Sequence, residues 1–79
     1  LSQALEVAKQ LLANGEQNAA KIRNAISETI QAEPLAKVDY VELVDARTLK
    51  PVDSVERPVL VVLAVYIGKT RLIDNFITE

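Results

Sequence analysis

VLVVLAVYI, residues 59–67, is a run of nine apolar positions bounded by Pro58 and Gly68. The run has about half the length that a membrane-spanning helix needs. Because every position is apolar, both faces of a strand formed here need cover, which is typical of the middle of a sheet. The sequence therefore predicts a central strand over residues 59–67.

The segments on either side of this run predict two further strands. Residues 38–45 mix β-branched and aromatic side chains with single charges, which suits a strand with one buried face. Residues 72–77 alternate less cleanly and fit an edge strand. The short connection Gly68-Lys69-Thr70 predicts an antiparallel hairpin, with Gly68 best able to adopt a positive φ. Residues 45–58 form a connection that contains two prolines.

Two helices are predicted ahead of the strands. The first has one apolar face with spacings of three and four, made by Leu1, Ala4, Leu5, Ala8, Leu11 and Leu12, and Asn14-Gly15 ends it. The second runs over residues 18–32, and Ile22, Ala25, Ile26, Thr29 and Ile30 share one face. Pro34 ends this helix, and the short link between the helices favours antiparallel neighbours.

These elements predict an α+β fold, with two N-terminal helices packed on a small three-stranded antiparallel sheet, in a single domain over residues 1–79. Two helices cover only one face of the sheet, so the second face stays partly open unless another domain or subunit covers it. Alternatively, Leu49, Val52 and Val55 of the connection fold back over that face. The pattern leaves both alternatives open, as well as which face the helices cover.

Composition excludes several classes of function. A net charge of −2 over 79 residues gives no indication of a nucleic-acid partner. The chain contains no cysteine and no histidine, so it has no disulfide, no thiolate metal ligand and no near-neutral base. No signal peptide or membrane span is apparent, and we expect a cytoplasmic location. Because methionine is also missing, Leu1 is not a translation start, and we expect a piece of a longer polypeptide.

No catalytic, cofactor-binding or metal-binding residue is predicted. Gly68-Lys69-Thr70 matches the end of a nucleotide-binding P-loop, but that loop needs a glycine where Leu63 stands and a helix afterwards. Arg71 and Asp74 are three residues apart and are predicted to form a structural ion pair or polar anchor. The other carboxylates considered are scattered: Asp39 and Asp45 flank a predicted strand, and Asp53 and Glu56 lie in the connection.

Three segments resemble a known family. They are DYVELVD at 39–45, ARTLKP at 46–51 and GKTRLIDN at 68–75. Together they resemble the C-terminal end of the pantoate-beta-alanine ligases, a family also called pantothenate synthetases. The family pattern G-x-T-R-L-I-D-N is matched by residues 68–75 without departure. The resemblance covers essentially the whole chain and is weaker over the helices.

The resemblance implies a parent enzyme that uses ATP with Mg²⁺ to join pantoate and beta-alanine through a pantoyl-adenylate, releasing AMP and pyrophosphate. In such a parent an N-terminal Rossmann-like domain carries HxGH motifs that bind ATP, and a Ser-Ser-Arg-Asn segment precedes the point that corresponds to Leu1. The present chain would be the lid, that domain its partner, and the parent a homodimer through the absent domain. None of the family's principal substrate-binding motifs maps onto residues 1–79, so the resemblance implies no site residue and no cofactor held here.

Two other hypotheses remain open. One is an autonomous interaction module that binds a protein partner through an open sheet face or edge. The other places the ligase within a longer polypeptide that also carries a kinase domain.

Overall fold

The fold consists of two helices followed by three strands. The computed structural model describes residues 2–56 and 58–78. The elements are α1 Ser2–Ala13, α2 Ala19–Gln31, β1 Ala36–Asp45, β2 Val59–Ile67 and β3 Thr70–Ile77. The predicted α+β class is confirmed, while the start of the first helix at Leu1 lies outside the described residues.

The helix ends follow local chemistry. Gly15 has a φ of 88° just after α1, a left-handed conformation that suits glycine and ends the helix. The side chain of Asn18 accepts a hydrogen bond of 3.2 Å from the backbone N–H of Lys21, which caps the N-terminus of α2. At the other end the backbone N–H of Ala32 donates to the carbonyl of Glu28. The predicted span of 18–32 agrees with α2 and its two cap residues.

The sheet is antiparallel in the order β1-β2-β3, so the apolar run lies in the middle as predicted. A two-residue turn, Gly68-Lys69, joins β2 to β3, and Gly68 has a φ of 60°. Glycine at the first turn position with positive φ is typical of a type II′ hairpin. Both outer strands begin two residues before the predicted positions, at Ala36 and Thr70.

Strand β1 contains a bulge at Asp39. Val38 lies opposite Val65 and Tyr40 lies opposite Ala64, so Asp39 is an extra residue that no residue of β2 faces. The bulge changes which positions of β1 face the helices. Before it these are Ala36 and Val38, and after it they are Val41 and Leu43.

The core lies between the helices and one face of the sheet. On that face Val59, Val61, Leu63 and Val65 are at most 1% exposed. They pack with Leu43 of β1 and with these helix residues: Ala4, Leu5, Ala8, Ala19, Ile22, Ile26 and Ile30. The helices therefore cover the odd-numbered side chains of β2.

The connection between β1 and β2 does not close the second face of the sheet. Val52 and Val55 pack against the core on the helix side, and the backbone N–H of Val52 donates to the carbonyl of Leu43. Leu49 is 63% exposed. The alternative in which these residues fold over the second face is therefore wrong, because backbone hydrogen bonds to Leu43 and Gln17 hold Val52 and Val55 on the helix side and Leu49 stays exposed.

Candidate functional site

The side of the sheet turned away from the helices is the candidate site, and we call it the open face. Strand pairing places four rows of three side chains on it. From the hairpin end the rows are Lys37, Tyr66 and Arg71; Tyr40, Ala64 and Ile73; Glu42, Val62 and Asn75; and Val44, Leu60 and Ile77. The middle column is apolar throughout, and the charged residues lie on the outer strands.

The open face is only partly shielded from solvent. Tyr40 and Tyr66 are each 38% exposed, Ile73 is 58% exposed and Ile77 is 61% exposed. A sheet face that normally meets water is mostly polar, whereas apolar side chains fill eight of these twelve positions. This combination of composition and exposure is typical of a surface that contacts another part of a protein.

One ordered polar cluster lies on the open face. The Nε and Nη2 atoms of Arg71 donate hydrogen bonds of 3.2 and 3.0 Å to Oδ2 of Asp39. The guanidinium carbon of Arg71 lies 5.9 Å from the centre of the Tyr40 ring, a distance that allows a cation–π contact. Because β1 and β3 both flank β2, about 9.5 Å separates them, and the Arg71 side chain must cross the middle strand.

This crossing helps to explain the burial of Ala64. Ala64 is fully buried although it lies on the open face. Tyr40 and Ile73 flank it in register, and the bridge from Arg71 to Asp39 runs over the same part of β2. The small alanine leaves room for the long side chains above it, and the cluster holds Tyr40 in a defined position.

Arg71 and Asp74 were predicted to form a structural ion pair or polar anchor, and an ion pair between the two is wrong, although each makes a polar contact of its own. In a strand, residues three apart point to opposite faces. Arg71 lies opposite Tyr66 on the open face, whereas Asp74 lies opposite Leu63 on the helix side. The Oδ1 atom of Asp74 accepts a hydrogen bond of 2.8 Å from the backbone N–H of Asn75.

Asp45 and Asp53 take part in local hydrogen bonds to the backbone. Oδ1 of Asp45 accepts from the backbone N–H groups of Arg47 and Thr48 at 2.7 and 3.0 Å, which orders the loop after β1. The backbone carbonyl of Asp53 accepts from the N–H of Ala19. Asp39 lies within β1 at the bulge, and not at the flank of the strand as predicted, because β1 begins at residue 36.

The structure contains neither the helix that a P-loop requires after Gly68-Lys69-Thr70 nor, within the described residues, a cluster of metal-ligand side chains. Gly68 and Lys69 form the hairpin turn and a strand follows them, so the helix that a P-loop needs is replaced by β3. Within residues 2–56 and 58–78, no group of three or more potential metal-ligand side chains lies together. In the part of the chain that the structure describes, neither α1 nor α2 is long and apolar enough to cross a membrane.

Sequence reasoning missed the cluster of Asp39, Tyr40 and Arg71. The sequence contained an indication of this cluster, because all three residues belong to segments 39–45 and 68–75, which carry the family resemblance. In the fold these segments meet across the middle strand, although 32 residues separate Asp39 from Arg71.

Comparison with known proteins gives a consistent result. The sequence model described as pantoate-beta-alanine ligase matches residues 1–77. The pantothenate synthetase of Clostridium acetobutylicum is 58% identical over 76 residues, which is 96% of this chain and 27% of the relative. That of Enterococcus faecalis is 52% identical over 79 residues, which is 100% of this chain and 28% of the relative.

A solved structure is similar as well. The crystal structure of the pantothenate synthetase from Thermus thermophilus superimposes with a TM-score of 0.83 at 28% sequence identity. The superposition covers 96% of this chain and 27% of that one. The chain therefore spans little more than a quarter of the length of the relatives it matches.

Proposed function

This chain belongs to the pantoate-beta-alanine ligase family, and from this membership we propose that it is the C-terminal lid domain of an ATP-dependent ligase. The observation that carries the proposal is a family match over residues 1–77 in a chain that spans 27% of a relative. The parent condenses pantoate with beta-alanine to give pantothenate. We further propose that it is cytoplasmic and a homodimer through its N-terminal domain.

The proposed reaction has two steps. The pantoate carboxylate attacks the α-phosphorus of ATP, which forms a pantoyl-adenylate and releases pyrophosphate. The amine of beta-alanine then attacks the acyl carbon, and AMP leaves as the amide bond forms. The described part of this chain holds no cluster of metal-ligand side chains, so we assign ATP and its Mg²⁺ to the N-terminal part of the parent.

The role proposed for this chain is to cover the adenylate. An acyl-adenylate that meets water hydrolyses, so a domain that closes over it protects the intermediate and commits it to beta-alanine. A lid needs rigidity and a shaped surface rather than catalytic side chains. Four side chains of β2 that are at most 1% exposed support rigidity, and the open face supplies a surface.

Titration calorimetry tests the proposal. We expect the 79-residue chain to bind neither ATP nor pantoate at micromolar concentrations. We expect the full-length protein, as the matched comparison, to bind both and to form pantothenate from ATP, pantoate and beta-alanine. Micromolar binding by the short chain alone, or a full-length protein that forms no pantothenate, contradicts the proposal.

The exposed side chains of the open face also support a second candidate, an autonomous module that binds a separate protein. Size-exclusion chromatography over a concentration series separates the two. A chain that stays monomeric and does not bind a dye for exposed apolar surface argues against the module.

A further inference from the structure

We propose that Asp74 prevents β3 from pairing edge to edge with β3 of a second copy of this chain. The edge in question is the outer side of β3, residues Thr70–Ile77, and we call it the free edge. This role belongs to the chain itself, whether or not its parent is a ligase. It concerns Asp74 and Asn75, two residues of the segment 68–75 to which the proposed function gives no part.

The two outer strands of the sheet differ in what covers their edges. The connection runs along the edge of β1, where the backbone N–H of Val52 donates to the carbonyl of Leu43 at 3.1 Å. The N–H of Asp45 donates to the carbonyl of Lys50 at 2.8 Å in the same stretch. In the part of the chain that the structure describes, β3 pairs only with β2. An uncovered strand edge is a template on which another chain can pair.

The register of the hairpin shows which backbone groups face the free edge. Ile67 and Thr70 flank the two-residue turn and form a hydrogen-bonded pair. Hydrogen-bonded and other pairs alternate along an antiparallel ladder, so the even-numbered residues of β3 direct their N–H and C=O groups to β2. The next even-numbered residue after the strand agrees, since the N–H of Thr78 donates to the carbonyl of Val59 at 2.9 Å. The outward groups therefore belong to Arg71, Ile73, Asn75 and Ile77.

Asp74 occupies one of these outward donors. Its Oδ1 atom accepts a hydrogen bond of 2.8 Å from the backbone N–H of Asn75, the group that a pairing strand would have to bind. Asp74 lies opposite Leu63 on the helix side and is half-buried. A second strand would displace the carboxylate from this donor and remove water from its charge, and both changes oppose pairing. Inward-pointing charges on edge strands are one means by which proteins prevent edge-to-edge association.

Without this carboxylate, a second copy matches the free edge. A two-fold axis perpendicular to the sheet makes the two β3 strands antiparallel and keeps both open faces on one side. The longest overlap that sets the outward groups opposite each other places Ile73 opposite Ile73 of the second copy. Arg71 then lies opposite Asn75 of the second copy, and about six backbone hydrogen bonds join the two strands.

Analytical ultracentrifugation of the 79-residue chain over a concentration series tests the proposal. Asp74→Ala removes both the acceptor and the charge. We expect it to raise the constant for self-association at least about tenfold, since one hydrogen bond can change an equilibrium constant by about that factor. Glu28→Ala removes one negative charge from the exposed side of α2 and, as the matched control, should leave the constant unchanged.

Circular dichroism verifies that each variant is folded. Asp74→Val gives a second reading if Asp74→Ala weakens the fold, because valine has a high β propensity and also lacks an acceptor.

Two further variants test whether the copies meet at the free edge. Asn75→Pro, added to Asp74→Ala, removes the outward N–H and should return the constant to within about threefold of the unsubstituted chain, since an edge strand tolerates proline there. Ile73→Cys, added to Asp74→Ala, should form a disulfide between two copies on oxidation, because Cα atoms about 5.5 Å apart allow one. Asn24→Cys on the exposed side of α2 should cross-link far more slowly in the same background.

Three results overturn the proposal. The first is that neither Asp74→Ala nor Asp74→Val associates more strongly than the unsubstituted chain. The second is an increase that Glu28→Ala matches, because the lost charge alone then accounts for it. The third is association that Asn75→Pro does not reduce, because the copies then meet elsewhere. A full-length protein that forms no pantothenate removes the ligase assignment and leaves the role of Asp74 intact.

Discussion

The two faces of β2 carry nearly the same kind of side chain and have different environments. Val59, Val61, Leu63 and Val65 face the helices and are at most 1% exposed, whereas Tyr66 on the other face is 38% exposed. The apolar run is therefore packed closely on one side and only partly covered on the other. An unbroken apolar strand does not by itself indicate which of its faces the chain covers.

The contrast has an energetic consequence. Full burial of a valine or leucine side chain contributes about 1.5–3 kcal/mol to folding. On the helix side this stabilisation is complete in the isolated chain. Leu60 and Val62 on the open face are partly buried and contribute less until the face is covered. Substitutions on the two faces should therefore differ in size.

The largest effect is expected for Leu63→Ala. Leu63 is fully buried, so its truncation leaves a cavity and should lower the free energy of unfolding by about 2–5 kcal/mol. Leu60→Ala, on the open face of the same strand, is the matched control and should cost about 1 kcal/mol, because less apolar surface returns to water. Urea unfolding of the 79-residue chain measures both. Equal losses at the two positions would remove the distinction between the faces.

The hairpin turn tests how the faces are assigned. A slip of one residue would exchange the two faces of β3, so the turn that fixes the register matters. Gly68→Ala should destabilise the chain by about 1–2 kcal/mol, because φ is 60° there and an added Cβ meets no atom within 4 Å, so the cost is conformational. Lys69→Ala in the same turn should have almost no effect. Thermal unfolding of the two variants provides the comparison, and equal midpoints would contradict it.

The open face should tolerate a charged side chain, whereas the helix side should not. Ile73 is 58% exposed, so in the 79-residue chain Ile73→Lys should change the free energy of unfolding by less than about 1 kcal/mol. The same variant should reduce any self-association seen by analytical ultracentrifugation. Val65→Lys on the helix side is the contrast, since a buried unpaired charge there should prevent folding. A folded Val65→Lys would mean that the helix side is not the core.

The smallest expected effect concerns the cluster on the open face. The side chains of Arg71 and Asp39 are 43% and 37% exposed, so their pairing should contribute only about 0.5 kcal/mol. A double-mutant cycle with Arg71→Gln and Asp39→Asn in the 79-residue chain measures this coupling. A coupling above about 2 kcal/mol would show that the pair is far better shielded from solvent than the open face implies.

Much of the fold was predictable from local signals. The bounds of β2 agree with the prediction because an unbroken apolar run ends at Pro58 and Gly68. The prediction missed the first two residues of β1 because Ala36 and Lys37 have low β propensity. They join the sheet because they pair with Ile67 and Tyr66 of β2. The conformation of these two residues depends on pairing with β2, which no local sequence pattern indicates.

The candidate site was less predictable. The pairing of Arg71 with Asp39 depends on the register of two strand pairs and on the bulge in β1. No local sequence pattern indicates either the register or the bulge. The prediction considered Asp74 because it follows Arg71 by three residues. On a strand that spacing places the two side chains on opposite faces.

The bulge at Asp39 determines where the sequence of this region can change in length. On its two sides the inward positions of β1 switch from even to odd numbers, Ala36 and Val38 before it and Val41 and Leu43 after it. Deleting Asp39 would restore strict alternation and keep all four of these side chains facing the helices, although Arg71 would lose its acceptor. Homologous chains should therefore tolerate a one-residue gap at position 39, and longer gaps should accumulate in the exposed loop around Leu49.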